Sequence, residues 1–351
     1  MRSEAHSSPA ESGTGSPATP DATADSTMSA VVQDRYGNAD VLRPARIARP
    51  AVTEGEVLLR VHAAGLDRGA WHLMTGRPYL MRLVFGLRAP KDPVRGREVA
   101  GTIVALGSGV SGFSVGDEVF GIGRGCFAEY ALARADKLAR KPAGISFEQA
   151  AVVPVSALTA LQALRDAGRV QPGQTVLVIG ASGGVGSFAV QLATAFGAQV
   201  TGVASTAKLD LVRSLGATQV IDYTSEDWAD GAHRYDLILD LAGNPAPSRL
   251  RRALTRTGTA VIGGGEGGGN LTGGLDRQLR ALALSMVVRQ RLTTLLCREN
   301  AADLERLTEL IEAGQVTPVV ERSYPLAEVP QAMRHLAAGK ARGKIAITVT
   351  A

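Results

Sequence analysis

The spacing of apolar residues along this chain of 351 residues divides it into regions of different structure. From Ser29 to about Ala150, short apolar runs are separated by Gly and Asp, a pattern typical of β-strands and turns. The candidate strands are Glu56–Ala63, Glu98–Leu106, Val115–Phe120 and Ala128–Ala133. This pattern predicts a β-rich first domain over residues 29–152.

The next part of the chain alternates apolar strands with segments of helical periodicity, after a helix predicted over Phe147–Leu164. Strands are predicted over Thr175–Ile179, Gln199–Val203, Gln219–Ile221, Tyr235–Leu239 and Thr259–Ile262, and helices over Val185–Phe196, Lys208–Leu215 and Pro247–Leu254. Strands separated by helix-length segments form a parallel sheet with right-handed crossovers. Residues 153–297 are therefore predicted to be a doubly wound α/β domain.

The two ends of the chain differ from these regions. Residues 1–28 are rich in Ser, Ala, Thr, Pro and Gly without apolar periodicity, which predicts a disordered tail. Residues 298–351 are predicted to return to the first domain. The elements predicted in this last part are a helix over Ala301–Ala313, a strand near Val319, a helix over Ala327–Ala337 and a strand over Lys344–Val349.

A glycine-rich turn directly after the strand Thr175–Ile179 is the most specific local motif. In a dinucleotide-binding turn, the first glycine permits the tight bend, the middle glycines let the pyrophosphate approach the backbone, and the last lets helix and sheet pack closely. The amides at the helix N-terminus then face the phosphates. A glycine-rich turn without a ligand is the alternative interpretation. The predicted cofactor-binding residues of this turn are Gly180, Ser182, Gly183, Gly184 and Val185.

The end of the following strand predicts which dinucleotide binds. An NAD site places Asp or Glu here to bind the ribose hydroxyls. This chain instead has Ser205, Thr206 and Lys208, and no acidic residue before Asp210. Hydroxyls and an ammonium group suit a 2′-phosphate, although a lysine at a helix start is commonly only solvated. NADPH is therefore predicted over NADH.

Composition narrows the classes of partner. Aromatic residues make up 4%, and the formal charge of +5 is diffuse, which argues against nucleic-acid binding. The two cysteines, Cys126 and Cys297, are far apart in sequence, which fits a reducing compartment. No unbroken apolar stretch approaches the length of a membrane span. We expect a cytoplasmic protein with a small-molecule substrate and no membrane partner.

Four segments together resemble the medium-chain dehydrogenase/reductase superfamily, in particular its quinone-oxidoreductase-like branch. They are Val99–Gly121 (VAGTIVALGSGVSGFSVGDEVFG), Pro154–Leu164 (PVSALTALQAL), Gly180–Gly186 (GASGGVG) and Gly343–Ile347 (GKIAI). The resemblance implies a GroES-like catalytic domain, a Rossmann domain and a cleft between them.

The resemblance also implies roles for individual residues. Thr159 is expected to border the nicotinamide, and Ser205, Lys208 and Tyr223 are expected to surround the 2′-phosphate. The residues expected to line the nicotinamide side are Gly263, Gly264 and Gly265. Relatives usually dimerise through the Rossmann domain, and Ala281–Leu296 is an apolar, strand-like stretch at the matching place. A homodimer is therefore expected.

The chain departs from the zinc-dependent members of the superfamily. Asp67 stands where those members carry a cysteine ligand, and Arg97 stands where they carry a histidine. Arginine does not ligate zinc, and a tetrahedral site lacking both ligands is incomplete. The four-cysteine structural-zinc lobe has no counterpart, since only Cys126 lies nearby. In the quinone-reductase branch, Asn and Asp often stand where this chain has Asp67 and Ala70, so catalytic residues do not transfer directly. No zinc is expected.

Without zinc, a conjugated acceptor is the favoured substrate class. Reduction of an isolated ketone lacks the Lewis acid, whereas hydride addition to an enone or quinone leaves a delocalised enolate that hydrogen-bond donors can hold. Tyr79 is the first candidate proton donor, followed by Asp67 and His72, although each type is common as a packed aromatic, helix cap or surface polar residue. Two alternatives stay open: a metal-free NADP-dependent alcohol or aldehyde dehydrogenase, and a nucleotide-binding protein with little catalysis.

Overall fold

The computed structural model describes residues 26–264 and 268–349. In chain order the strands are β1 (Thr27–Val32), β2 (Arg43–Ala48), β3 (Glu56–Leu66), β4 (Glu98–Leu106), β5 (Glu118–Arg124), β6 (Tyr130–Arg140), β7 (Thr175–Ile179), β8 (Gln199–Ala204), β9 (Gln219–Asp222), β10 (Tyr235–Asp240), β11 (Leu254–Ile262), β12 (Arg291–Thr294), β13 (Val320–Pro325) and β14 (Lys344–Thr348). The helices are α1 (Arg68–Thr75), α2 (Arg82–Phe85), α3 (Phe147–Ala151), α4 (Pro154–Gln162), α5 (Gly184–Ala195), α6 (Leu209–Ser214), α7 (Pro247–Ala253), α8 (Leu275–Ser285), α9 (Ala301–Glu312) and α10 (Val329–Ala337). No helix in these ranges has the length and apolarity needed to cross a bilayer.

The strands form two large sheets that belong to different folds. The catalytic-domain sheet has the order β13-β14-β3-β4-β5-β6 and is closed by an additional β3–β6 pairing. The second sheet has the order β12-β11-β10-β7-β8-β9, and all of its neighbouring strands run parallel. A GroES-like β-rich domain beside a Rossmann-type parallel sheet confirms the predicted α/β fold class.

The first and last strands of the described residues both pair within the catalytic domain. The last strand, β14, runs antiparallel to β3, with Ile345 opposite Leu66. Strand β1 begins at Thr27, so Met28, assigned to the tail by the sequence, lies in a strand and is buried. The remainder of the expected tail, residues 1–25, lies outside the described residues.

Several elements begin or end elsewhere than the sequence predicts. The single helix expected over Phe147–Leu164 is divided between α3 and α4, because Pro154 has no N–H and starts a new helix instead of continuing the first. Strand β5 begins at Glu118 instead of Val115, since the preceding Gly116 turns the chain with a φ of 98°.

The prediction of a strand-like stretch over Ala281–Leu296 is wrong for the first part of this segment. Only Arg291–Thr294 forms a strand, β12, at the edge of the parallel sheet. Ala281–Ser285 instead completes α8. Arg277 and Ala281 are buried and Leu284 packs beside them, and this i, i+4, i+7 spacing is the inward face of a helix.

Candidate cofactor and substrate site

A cleft of about 830 Å³ lies at the carboxyl ends of β7, β8 and β10. In the strand order, β8 lies on one side of β7 and β10 lies on the other, so the order in which the chain adds strands reverses at β7. Doubly wound sheets bind their ligands at such a switch point. Asp67, Arg68 and Lys344 of the catalytic domain form part of its wall. The predicted cofactor residues that line it are Gly180, Ser182, Gly183, Gly184, Val185, Ser205, Lys208 and Tyr223.

The glycine-rich turn has the geometry that its sequence predicts for phosphate binding. Gly180 leaves β7 with a φ of 85°, and Gly183 is the N-cap residue of α5 with no side chain to cover the helix end. A Cβ on Gly186 would stand 2.1 Å from the Gly180 carbonyl oxygen, so only glycine lets the helix approach the turn this closely. The helix N-terminus therefore presents backbone amides to the cleft, as a pyrophosphate requires.

Ser205, Lys208 and Tyr223 line the part of the cleft beyond β8, where the sequence predicts the 2′-phosphate. The Lys208 Nζ donates to the carbonyls of Gly339 (3.0 Å) and Ala341 (2.8 Å), which belong to the catalytic domain. Burial and the nearby Arg342 charge lower the pKa of Lys208. A side chain so held presents positive charge at one place, which fits a 2′-phosphate.

Thr206 does not line the cleft, although it lies beside Ser205 in sequence. Its hydroxyl donates to the Oδ2 of Asp222, at the end of β9. The structure therefore separates Thr206 from the other residues predicted around the 2′-phosphate.

The far end of the dinucleotide would lie beyond β10, near two of the predicted glycines. The amides of Gly263 and Gly264 both donate to the Asp240 carbonyl at 3.0 Å. The buried Arg277 guanidinium binds the Asp240 carboxylate and the Gly264 carbonyl, which fixes this turn. Burial raises the pKa of Asp240 to about 6, against the opposing charge of Arg277. Gly265 lies outside the described residues.

Thr159 lies on α4, with its hydroxyl donating to the Val155 carbonyl at 2.6 Å. It does not line the cleft, whereas Val155, one turn earlier, does. On its other side, Thr159 adjoins the Cys297 thiol. Thr159 thus stands between the cleft and the segment that follows β12.

A buried ion pair of the catalytic domain, which sequence analysis missed, lies beside the glycine-rich turn and contacts the start of α4. The Lys344 Nζ binds the Glu98 carboxylate and also donates to the Ser156 hydroxyl at 3.1 Å. The other oxygen of Glu98 accepts from the Val155 amide at 2.9 Å. Burial raises the pKa of Glu98 to about 7, although the Lys344 charge opposes this shift. Glu98 directly follows Arg97 in sequence and Lys344 belongs to the Gly343–Ile347 segment, but their pairing spans 246 residues.

The three candidate catalytic residues have different positions. Asp67 lines the cleft, and its Oδ1 accepts from the Ala70 amide at 2.7 Å as the N-cap of α1. Tyr79 is 42% exposed and outside the cleft lining, with its amide bonded to the Asn270 carbonyl at 2.7 Å. The His72 Nδ1 lies 2.7 Å from the Arg77 carbonyl, also away from the lining. Only Asp67 is therefore in place to contact a ligand in the cleft.

The two residues at the zinc-ligand positions both have other partners. Asp67 caps α1, and the Arg97 guanidinium binds the Glu299 carboxylate. Across residues 26–264 and 268–349, no group of three or more His, Cys, Asp or Glu side chains is arranged to hold a metal ion.

Two family models match separate parts of the chain. An alcohol dehydrogenase GroES-like domain matches residues 53–143. A family described as zinc-binding dehydrogenase matches residues 215–347. This second match begins after Asp67 and Arg97, so its description says nothing about those two positions.

Relatives and solved structures match nearly the whole chain. It is 33% identical to the NADPH-dependent alkenal/one oxidoreductase, chloroplastic, of Arabidopsis thaliana, over 94% of this chain and 81% of the relative. It is 32% identical to the 2-methylene-furan-3-one reductase of Solanum lycopersicum, over 89% of this chain and 76% of the relative. The quinone oxidoreductase from Coxiella burnetii superposes with a TM-score of 0.82 at 29% identity, covering 92% of this chain and 100% of that one. The chain therefore belongs to the medium-chain dehydrogenase/reductase superfamily, in its quinone-oxidoreductase-like branch, and is an oxidoreductase.

Proposed function

We propose that this protein is an NADPH-dependent, zinc-independent reductase of enones or quinones. The observation that carries the proposal is one cleft that combines a phosphate-binding turn, from Gly180 to Val185, with the Lys208 ammonium at its adenosine end. The zinc-ligand positions are taken by Asp67 and Arg97, which supports a reaction without a metal.

The residues of the cleft suit NADPH at each of its parts. Amides of the α5 N-terminus, at Gly184 and Val185, bind the pyrophosphate, whereas the Gly183 amide donates to the Gly180 carbonyl and Gly183 leaves space for the phosphates. The 2′-phosphate is bound by Ser205, Lys208 and Tyr223. Thr206 fixes the segment after β8 through the hydrogen bond of its hydroxyl to Asp222. Beyond the cleft lining, the nicotinamide side is formed by Gly263, Gly264 and Thr159. When bound, NADPH supplies the hydride.

A conjugated acceptor suits the remaining chemistry of the site. Addition of hydride at the β-carbon moves the π electrons to the carbonyl oxygen, and the enolate then takes a proton at its α-carbon. Asp67, at the cleft wall, is in place to orient a water molecule that delivers this proton, and Tyr79 and His72 remain candidates from the adjoining segment. Two of the relatives are named for an alkenal/one and for 2-methylene-furan-3-one, which supports this acceptor class.

Isotope transfer tests the proposed reaction. The protein is incubated with 4-deuterated NADPH and an enone, and the product is examined by NMR. We expect the saturated ketone with deuterium at the β-carbon and solvent hydrogen at the α-carbon. Deuterium on a carbinol carbon would establish direct carbonyl reduction, and the metal-free alcohol dehydrogenase would replace this proposal. Tight NADPH binding without turnover of any enone, quinone or aldehyde would favour the nucleotide-binding alternative.

The proposed function extends to the cellular location, metal content and assembly of the protein. We infer a cytoplasmic homodimer that acts on small molecules and binds no nucleic acid or membrane. Elemental analysis of the purified protein tests metal independence: one tightly held zinc per chain would contradict it, and chelators are expected to leave activity unchanged.

A further inference from the structure

Two cationic side chains from distant parts of the chain bind one carboxylate. The Glu299 Oε1 accepts from the Arg97 Nη2, and its Oε2 accepts from the Lys137 Nζ at 2.8 Å. Arg97 directly precedes β4, Lys137 lies on β6, and Glu299 lies between β12 and α9. This Arg97–Lys137–Glu299 cluster therefore links β4 and β6 of the catalytic domain to the segment that follows β12.

The three residues lie outside the lining of the cleft, and the sheet order places them beyond it, on the nicotinamide side. The pyrophosphate lies at the N-terminus of α5, and the two halves of a dinucleotide extend to either side of it. Lys208, after β8, marks the adenosine side, so the nicotinamide half extends over β10, β11 and β12. Glu299 follows the carboxyl end of β12. Arg97 precedes Glu98, whose carboxylate accepts from the Val155 amide of the cleft wall.

The cluster keeps an uncompensated positive charge. Burial opposes ionisation of Glu299, but the hydrogen bonds and charges of Lys137 and Arg97 outweigh it and lower the pKa of this carboxyl. One carboxylate shared by two cations leaves one net positive charge. The cluster lies near the Cys297 thiol, which adjoins Thr159, and there burial and the Glu299 and Asp303 charges raise the pKa of the thiol more than Arg97 lowers it.

Most of the N–H donors of the Arg97 guanidinium make no hydrogen bond to the residues that the structure describes. Its side chain is 43% exposed, and only Nη2 is bonded, to Glu299. Among the residues that the structure describes, none accepts from its Nη1 or Nε. A guanidinium carries five N–H groups in a fixed planar arrangement, so Glu299 orients it while leaving several donors for a ligand.

We propose that Arg97 binds the carbonyl or quinone oxygen of the acceptor and stabilises the negative charge that develops there during hydride addition. The inference rests on the proposed reductase function. A C–H bond forms at the conjugated carbon, the π electrons move to the oxygen, and a proton from water then reaches the α-carbon, while the guanidinium stays protonated throughout. Arg97 thus supplies the positive charge at the position where zinc-dependent relatives have a histidine ligand.

Single-turnover kinetics of Arg97→Gln and Arg97→Lys test the inference with bound NADPH and an enone. Loss of a donor aimed at a developing oxyanion lowers rates by about 10²–10³. We expect a loss of this size in Arg97→Gln and a smaller one in Arg97→Lys, which keeps the charge. The dissociation constant of NADPH should change less than twofold. Arg124→Gln is the matched control, because the Arg124 guanidinium pairs with Glu56 and not with Glu299, and it should keep the wild-type rate.

Binding of a substituted phenol provides a readout that is independent of turnover. A phenolate has the charge and shape of an enolate oxygen, and its ultraviolet spectrum distinguishes it from the neutral phenol. We expect the wild-type protein with NADP⁺ to bind the ionised form, and Arg97→Gln to bind it at least tenfold more weakly. Equal phenolate binding by the two proteins would overturn the role of Arg97, whatever the reductase assay gives. Absence of enone and quinone reduction by the wild-type protein would overturn only the proposed function.

Discussion

At the scale of single residues, Lys208 connects cofactor choice to the contact between domains. Two of the three protons on its ammonium are used by the carbonyls of Gly339 and Ala341. The third proton is left for the cleft that Lys208 lines. A 2′-phosphate there gains a charge-assisted hydrogen bond, whereas the 2′-hydroxyl of NADH gains only a neutral one.

Replacement of Lys208 should therefore weaken NADPH selectively. We expect Lys208→Gln to raise the dissociation constant of 2′,5′-ADP by about 10- to 100-fold, since a hydrogen bond to a charged group contributes roughly 1.5–3 kcal/mol. Binding of 5′-AMP should change less than threefold. Titration calorimetry measures both ligands. Lys340→Gln removes the same charge from the neighbouring loop and should leave both constants near wild type. An equal loss for the two ligands would contradict the assignment.

The buried carboxyl of Glu98 predicts a pH dependence of stability. Burial raises its pKa from 4.5 in the unfolded chain to about 7 in the folded one. Between these values the folded protein keeps a proton that the unfolded chain has lost, so the free energy of unfolding falls as pH rises from about 4.5 to about 7. This component reaches at most about 1.4 kcal/mol per pH unit.

Urea unfolding between pH 5 and pH 7 measures the Glu98 component. The decrease in the free energy of unfolding with rising pH should be present in the wild-type protein and missing in Glu98→Gln. Because that variant leaves Lys344 buried without its counter-ion, the double variant Glu98→Gln, Lys344→Met supplies a second comparison and should show the same missing slope. Identical slopes in all three proteins would rule out this titration.

At the scale of elements, local signals account for what the sequence predicts well. The strand Thr175–Ile179 has the predicted bounds, because an uninterrupted apolar run is followed directly by the glycine-rich turn. The break before α4 was missed although Pro154 signals it, since the apolar pattern continues through it. The first part of Ala281–Leu296 was assigned to a strand because the helix that contains it, α8, begins upstream with buried Arg277 at an inward position where an apolar residue is expected.

Alanine substitutions at two glycines of the turn between β7 and α5 are predicted to have different effects, one on stability and the other on NADPH binding. An alanine Cβ at Gly186 would stand 2.1 Å from the Gly180 carbonyl oxygen, so Gly186→Ala must displace the helix from the sheet. We expect a loss of about 1–3 kcal/mol in the free energy of unfolding. A Cβ at Gly183 would meet only the same oxygen, at 3.3 Å, and its φ of −82° suits any residue.

Gly183→Ala should therefore keep a thermal midpoint close to that of the wild-type protein while weakening NADPH binding at least tenfold, because its methyl group enters the space of the pyrophosphate. Thermal denaturation and calorimetric titration of the two variants separate these effects. Unchanged NADPH binding by Gly183→Ala would show that the pyrophosphate does not approach this residue.

At the scale of the whole molecule, the contacts that complete the site are long-range. The Lys344–Glu98 pair spans 246 residues, and the Arg97–Glu299 pair spans 202. The sequence identifies Arg97 as an anomaly at a zinc-ligand position, but its partner depends on how the segment after β12 meets the catalytic domain. Local periodicity does not predict which segments distant in sequence come into contact. Those contacts are set by how the two sheets are arranged in the folded protein.

The edge of the parallel sheet predicts how two copies of the chain assemble. Strand β12 is the outermost strand, so one row of its backbone groups has no neighbour within the described sheet. Met286, Val287 and Leu296 beside it are 82%, 79% and 88% exposed. An exposed edge strand flanked by apolar side chains is a template for pairing with a second copy across a two-fold axis.

Light scattering at micromolar concentration should therefore give twice the 36.5 kDa mass of one chain. Leu296→Asp places a carboxylate in the proposed interface, where desolvation of unpaired charge is costly, and should shift the protein toward the monomer. Leu83→Asp is the control, because Leu83 is also exposed but lies on α2 of the catalytic domain, and it should leave the dimer intact. A monomeric wild-type protein would refute the dimer, and dissociation by Leu83→Asp alone would move the interface from β12 to the surface around α2.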